Sequence, residues 1–239
     1  MIFCDERKFI FFHIPKTAGS FIEKSICKQI GKETWESEWT EDNVFIKHVQ
    51  PKEFFARYPH KADYTKISCC RNPWDYTLSF YSMHTQWPRF SSVTGCHFKD
   101  TGRIHPINDY KGFNEFIELG SIGVGPTSVL PRFKDALCNP ITRFLTKDKV
   151  TKNAELWADH IIRFESLQED INTIFTEIGL SPIDCTDRSN KLQNSGEPYD
   201  CSSKHKHYSK VYSPKAREII ANLNLIDCER FNYTYEKAP

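Results

Sequence analysis

A lysine set among small residues, between a strand-like run and a helix-like run, is an arrangement that binds anions, and His13-Ile-Pro-Lys-Thr-Ala-Gly-Ser20 has it. Upstream, Lys8-Phe-Ile-Phe-Phe-His-Ile14 is apolar and aromatic enough for a buried strand. Downstream, Phe21, Ile22, Ser25, Ile26 and Ile30 recur with the spacing of one helical face, and Gly31 reads as the stop. The first N–H groups of such a helix have no intrahelical acceptor, and with the positive dipole end they attract phosphate-like groups. Lys16 adds a mobile full charge, the Thr17 and Ser20 hydroxyls are further donors, and Ala18 and Gly19 complete the candidate cradle. A Walker loop, G-x-x-x-x-G-K-[ST], carries its lysine after the last glycine, whereas Lys16 precedes Gly19. Taken alone, the octapeptide also fits an ordinary strand-to-helix turn with a solvated lysine.

A second strand-to-helix junction, Ser68-Cys-Cys-Arg-Asn-Pro-Trp-Asp-Tyr-Thr-Leu-Ser79, is more specific. Pro73 suits a first helical turn, where its missing N–H is no loss. Arg71 offers a forked, permanently charged donor set, and a spacing of a little over two turns lets Ser79 share a face with the helix start. The plainer readings are an Arg71–Asp75 surface ion pair and a Ser79 hydroxyl bonded to its own helix.

Together the two junctions resemble the sulfotransferases that use 3′-phosphoadenosine 5′-phosphosulfate (PAPS), and HIPKTAGS resembles their carbohydrate and bacterial branch. The resemblance implies that the first loop binds the 5′-phosphosulfate through Lys16 and residues 17–20. It also implies that Arg71 and Ser79 hold the 3′-phosphate. Two further stretches extend it: Asp159 to Asp170, with R-F-E followed by an S-x-x-E capping box at Ser166 and Glu169, and Lys206 to Lys215, closing with D-x-E-R-F-N-Y at Asp227 to Tyr233. Lys204, Lys206 and His207 resemble a basic loop that closes over the nucleotide in this family, and a solvated charge cluster is the simpler alternative. Residues 86–150 carry no familiar pattern.

The implied fold is α/β, a P-loop-like central parallel sheet flanked by helices. It forms one domain over residues 1–239, with 86–150 as an irregular acceptor-binding or lid segment. The implied reaction moves a sulfuryl group from PAPS to a hydroxyl or amine, on a glycan or small hydroxylated metabolite, with PAP as product and no metal. An ATP-dependent small-molecule kinase is the competing enzyme class, weakened by the lysine's position. A non-catalytic nucleotide-binding protein is the third reading. The base is expected at His48, at the end of Val44-Phe-Ile-Lys-His-Val49, because parallel strands present their C-terminal ends to one crevice. Its position between the two motifs is similar to that of the family's catalytic histidine. A structural role is the alternative. His13 is read as shaping the loop, and His84, His97 and His105 fall in or beside the unfamiliar segment.

Composition supports these elements without choosing among acceptors. A chain of 239 residues, 39% hydrophobic and 14% aromatic, buries a sizeable core, and a net charge of +1 announces no nucleic-acid partner. No apolar run approaches the ~20 residues of a membrane span, and no signal peptide is legible. A cytoplasmic enzyme is therefore expected, with a soluble lumenal domain as the alternative. The nine cysteines are odd in number, contain no C-x-x-C pair and are expected reduced. Cys201, His205 and His207 lack an evident fourth partner for zinc. Cys69 and Cys70, at a strand end, are expected to point one inward and one outward.

The elements expected to position these residues are strands at 8–14, near 44–49, at 65–70 and at 159–165. Helices are expected at 19–30, 73–84, around 113–119 and at 167–179, with a final helix capped by Ser213 that begins with Pro214.

Overall fold

Four strands form one sheet in the order β1-β2-β3-β4: β1 Ile2–Cys4, β2 Phe9–Phe11, β3 Thr65–Cys70 and β4 His160–Arg163. β2, β3 and β4 run parallel, with Phe11 opposite Ile67 and Cys70 opposite Arg163. β1 adds an antiparallel edge, Ile2 opposite Phe11. The expected α/β fold with a helix-flanked sheet is present, and β1, which the charged turn Asp5–Lys8 hides in the sequence, makes the sheet mixed rather than wholly parallel. The computed structural model describes residues 1–31, 48–86, 110–120, 137–186 and 205–236.

Strand alternation explains the continuous apolar run. Phe9 and Phe11 face one side, with Ile67, Cys69 and Ile162, beneath α1 (Gly19–Ile30). Ile10 and Phe12 face the other, against Phe54 and Phe55 of α2 (Pro51–Arg57). With both faces covered, Cys69 and Cys70 are both fully buried, which corrects the expectation that one would face out. α2 itself lies where the sequence suggested only a connection.

The chain divides into two compact units. Unit 1 is Met1–Arg71, Phe144–Lys149 and Ala154–Asp200; unit 2 is Asn72–Arg143, Val150–Asn153 and Cys201–Pro239. Unit 1 holds the sheet, α1 and α2. Among its described residues, unit 2 is helical: α3 Pro73–Gln86, α4 Phe113–Gly120, most of α5 Pro140–Leu145, and a C-terminal pair. In unit 1, α6 (Leu167–Glu177) buries Ile171, Ile174 and Phe175 on the sheet, and Gly179, with φ of 72°, follows its end. The C-terminal pair, α7 Pro214–Leu223 and α8 Leu225–Phe231, breaks at Asn224 where one helix was expected. Ser213 caps α7 as predicted, accepting from Ala216 N–H at 3.0 Å.

Two expectations change. Residues 48–50 lead into α2 and belong to no strand, so His48 is not positioned by a strand end; Val44 to Lys47 lie outside the described residues. Ser166 precedes α6 but does not cap it, because its hydroxyl donates to Asp170 Oδ2 at 3.0 Å, an oxygen that also accepts from Arg163 N–H at 2.7 Å. Cys96, His97, His105, the stretch Ser121 to Pro126, Cys201 and Lys204 also fall outside the described residues.

Candidate active site

The loop between β2 and α1 is strained. Lys16 has φ of 64° and Ala18 φ of 66°, both left-handed, with Thr17 between them at negative φ. Each non-glycine residue there costs roughly 1–2 kcal/mol, and such strain persists only where its surroundings enforce it. Backbone that alternates in this way turns successive N–H groups toward one concavity that suits an anion. The first bond of α1 runs from Phe21 N–H to Ala18 O at 2.9 Å, so the N–H groups of Ala18 and Gly19 have no acceptor within the helix. The hydroxyl of fully buried Thr17 donates its one proton to Ile14 O at 2.8 Å. Here it is an internal brace of the loop, where the sequence suggested an added anion donor.

Four side chains, Arg71, Phe164, His13 and Glu23, surround the loop. Arg71 leaves β3 beside it, only 7% exposed, and its Nη1 donates to Lys16 O at 2.7 Å. The Arg71 guanidinium carbon lies 3.9 Å from the centroid of the Phe164 ring. Register explains that contact: Cys70 pairs with Arg163 in parallel, so the next residues, Arg71 and Phe164, leave the sheet side by side. At the start of the loop, the His13 ring is 3% exposed, and its Nδ1 lies 2.8 Å from Glu23 Oε2. Glu23 also receives the Met1 amino group.

Gly19 is required by that ring rather than by its own backbone. A Cβ at Gly19 would stand 2.1 Å from His13 Cδ2. Glu23 was missed in the sequence, although a signal was there. Gly19, Ile22, Glu23 and Ile26 share the buried face, and a carboxylate in that stripe calls for a partner.

His48 is exposed, and its ring meets that of His13 edge-on at 4.6 Å. Its Nδ1 lies 3.0 Å from His13 O. A carbonyl only accepts, so Nδ1 carries a proton here; in the neutral ring Nε2 is then the acceptor, the tautomer a general base needs. Cys69 offers no thiolate beside the loop. Burial and then the neighbouring Cys70 push its thiol well above its ordinary value, outweighing the opposing effect of the adjacent Thr17 hydroxyl.

Unit 2 carries the other predicted residues. Asn72 caps α3, its Oδ1 accepting from Trp74 N–H at 3.1 Å, while its Nδ2 donates to Thr234 O at 3.1 Å. Ser79, on α3, is 1% exposed. Lys206 is exposed. His207 Nδ1 accepts from Ser209 N–H at 3.3 Å and caps a single turn at Tyr208–Lys210, with its ring stacked on Tyr208 at 4.3 Å. His205 Nε2 stands 4.0 Å from Asp75 Oδ1.

The model of the sulfotransferase family matches residues 1–234. The chain belongs to the sulfotransferase family. Its chemistry is accordingly transfer of a sulfuryl group to an acceptor. No curated protein and no solved structure matches the chain. Among the described residues of this sulfotransferase, no helix is long and apolar enough to cross a membrane.

Proposed function

We propose that this sulfotransferase takes its sulfuryl group from PAPS and delivers it to a hydroxyl or amine of a glycan or small hydroxylated metabolite, releasing PAP. The observation that carries the reading is the left-handed loop at the head of α1, with Lys16 in it and its carbonyl fixed by Arg71. A charged side chain, a row of amide donors and a helix start fit a 5′-phosphosulfate, and none of them requires a metal.

Bound PAPS supplies a sulfuryl group already attached to a good leaving group, so the protein's part is positioning and charge stabilisation. Lys16 and the N–H groups of Thr17, Ala18, Gly19 and Ser20 hold the 5′ end, and the Lys16 charge offsets the negative charge that grows on the departing phosphate oxygen. Arg71 and Ser79 hold the 3′-phosphate. Lys206 and His207 close over the nucleotide. His48 Nε2 takes the proton of the attacking hydroxyl, in the tautomer that its bond to His13 O favours.

Calorimetric titration with PAP in the presence of a magnesium chelator is expected to give tight binding. Preference for ATP with magnesium would overturn the reading in favour of a kinase. Transfer of labelled sulfate onto a panel of glycans, phenols and polar metabolites identifies the acceptor class. Lys16→Ala is expected to lower turnover about 10²- to 10³-fold, the usual cost of removing one donor to a developing anion. His48→Ala is expected to abolish turnover while PAP affinity stays at the wild-type value, and full activity in that variant sinks the assignment of the base.

A further inference from the structure

Phe164 holds no group that reacts, yet its place in the fold is specific. We infer that Phe164 is a positioning residue: it fixes the Arg71 guanidinium so that Arg71 clamps the strained Lys16 carbonyl and keeps the donor loop in its binding shape before any nucleotide arrives. This deepens the proposed donor site, and the part concerning nucleotide affinity rests on that reading.

Three observations support it. The β3–β4 register brings Arg71 and Phe164 out of the sheet as neighbours, so their contact follows from the fold. The guanidinium lies 3.9 Å from the ring centroid and Arg71 as a residue is 7% exposed, a cation–π contact of the kind that holds a planar cation to one orientation. From that orientation Nη1 reaches Lys16 O at 2.7 Å, across 55 residues of sequence, at one of the loop's two left-handed positions. Arg71 thus supports the 5′ end of the site through the backbone, apart from any phosphate it binds directly. A leucine at 164 would keep apolar volume but provide no aromatic face, and the fork would lose what aims it.

The test has a ligand-free and a ligand-bound arm, both on the full chain. Hydrogen exchange of the free protein is expected to rise in the amides of residues 16–20 in Phe164→Leu, with β3 unchanged, and to return to the wild-type level in Phe164→Tyr. Arg71→Lys, which keeps the charge and loses the fork, is expected to raise the same amides. In titrations, Phe164→Leu is expected to weaken PAP and adenosine 5′-phosphosulfate, which has no 3′-phosphate, by the same factor. That factor is roughly two- to thirty-fold, the span of a cation–π contact. Loop exchange unchanged in both Phe164→Leu and Arg71→Lys overturns the clamp. Loss of PAP affinity with adenosine 5′-phosphosulfate unaffected overturns it too, since Arg71 would then act on the 3′-phosphate alone. Failure of the wild type to bind PAP would instead strike the donor-site reading, and the exchange arm would still decide the clamp.

Discussion

Unit 1 and unit 2 are specified by different interactions. In unit 1 phenylalanine and isoleucine cover both faces of a short sheet, and three of its buried polar side chains, His13, Thr17 and Arg71, gather at one loop. Unit 2 has an aromatic core whose polar tips are tied to distant backbone: Trp74 Nε1 donates to Arg217 O at 3.0 Å and the Tyr212 hydroxyl to Trp74 O at 2.9 Å. Its helix starts are likewise held by side chains remote in sequence, Asp227 accepting from Ile141 and Thr142. Burial and register settle most of the fold of unit 1, and two of its three left-handed non-glycine residues, Lys16 and Ala18, fall in one loop. Unit 2 depends on polar links between segments, each costly to leave half-made. The contrast teaches that damage in unit 1 should fall on the loop's chemistry before its stability, whereas damage in unit 2 should fall on stability.

Gly19→Ala is the strongest way to break that contrast. The added methyl would meet His13 Cδ2 at 2.1 Å, and the His13 ring cannot swing aside without leaving Glu23. Overpacking of this kind costs about 1–3 kcal/mol. The expected outcome is a lowered denaturation midpoint together with lost PAP affinity, because the displaced ring sits against the helix start that would bind the donor. Gly31→Ala is the control: a Cβ there meets nothing within 4 Å, though φ is 67°, so stability should fall without any change in PAP affinity. Unchanged PAP affinity in Gly19→Ala would mean that His13 yields, and the loop would then be less rigidly specified than its contacts imply.

What the sequence revealed follows the same division. α1 is Gly19–Ile30 and β3 is Thr65–Cys70, both as the periodicity predicts, because their patterns and stop signals are local. The Ser213–Pro214 start of α7 was legible for the same reason. β1 and α2 were not, since a three-residue edge strand beside a charged turn and a seven-residue helix are too short to display a period. At the site, the lysine, arginine and histidine were visible as residue types, whereas their bonds were not. Arg71 meeting the Lys16 carbonyl depends on a parallel register, and His48 meeting the His13 carbonyl joins positions 35 residues apart. The missed capping box marks the limit of a local motif, because Asp170 lies one residue beyond Glu169 and takes the Ser166 hydroxyl instead.

A smaller effect sharpens the contrast from the unit 2 side. Asp227 is 1% exposed, and burial raises its carboxyl above the ordinary carboxylate range, against hydrogen bonds from Thr142 and Ile141 and the charge of Arg230. The folded state therefore holds that proton more tightly than the unfolded chain does. Between the ordinary value of about 3.9 and the raised folded value, this residue's contribution to stability falls as pH rises. Asp227→Asn removes the titration and one charge-assisted acceptor, at a cost on the order of 1–2 kcal/mol. The stability difference between wild type and variant, read from urea midpoints, should shrink as pH rises through that window. A difference independent of pH would show that the hydrogen bonds cancel the effect of burial.

The smallest expected effect sets two serines against each other, one at a helix start in each unit. Ser213 Oγ accepts from Ala216 N–H at 3.0 Å and donates to Glu118 Oε1 at 2.8 Å, while Ser213 N–H donates to Asn114 Oδ1 at 2.8 Å. Its hydroxyl satisfies one of the open donors of α7, so Ser213→Ala should cost about 1 kcal/mol. Ser166 satisfies no helix N–H. Its partner Asp170 already accepts from Arg163 N–H at 2.7 Å, and that bond survives removal of the hydroxyl. Ser166→Ala should therefore cost less, within about 0.5 kcal/mol, as an ordinary part-exposed change does. Equal losses in the two variants would mean that the Ser166–Asp170 bond contributes as much as a true cap, and the β4–α6 junction would then share the dependence on polar links that distinguishes unit 2.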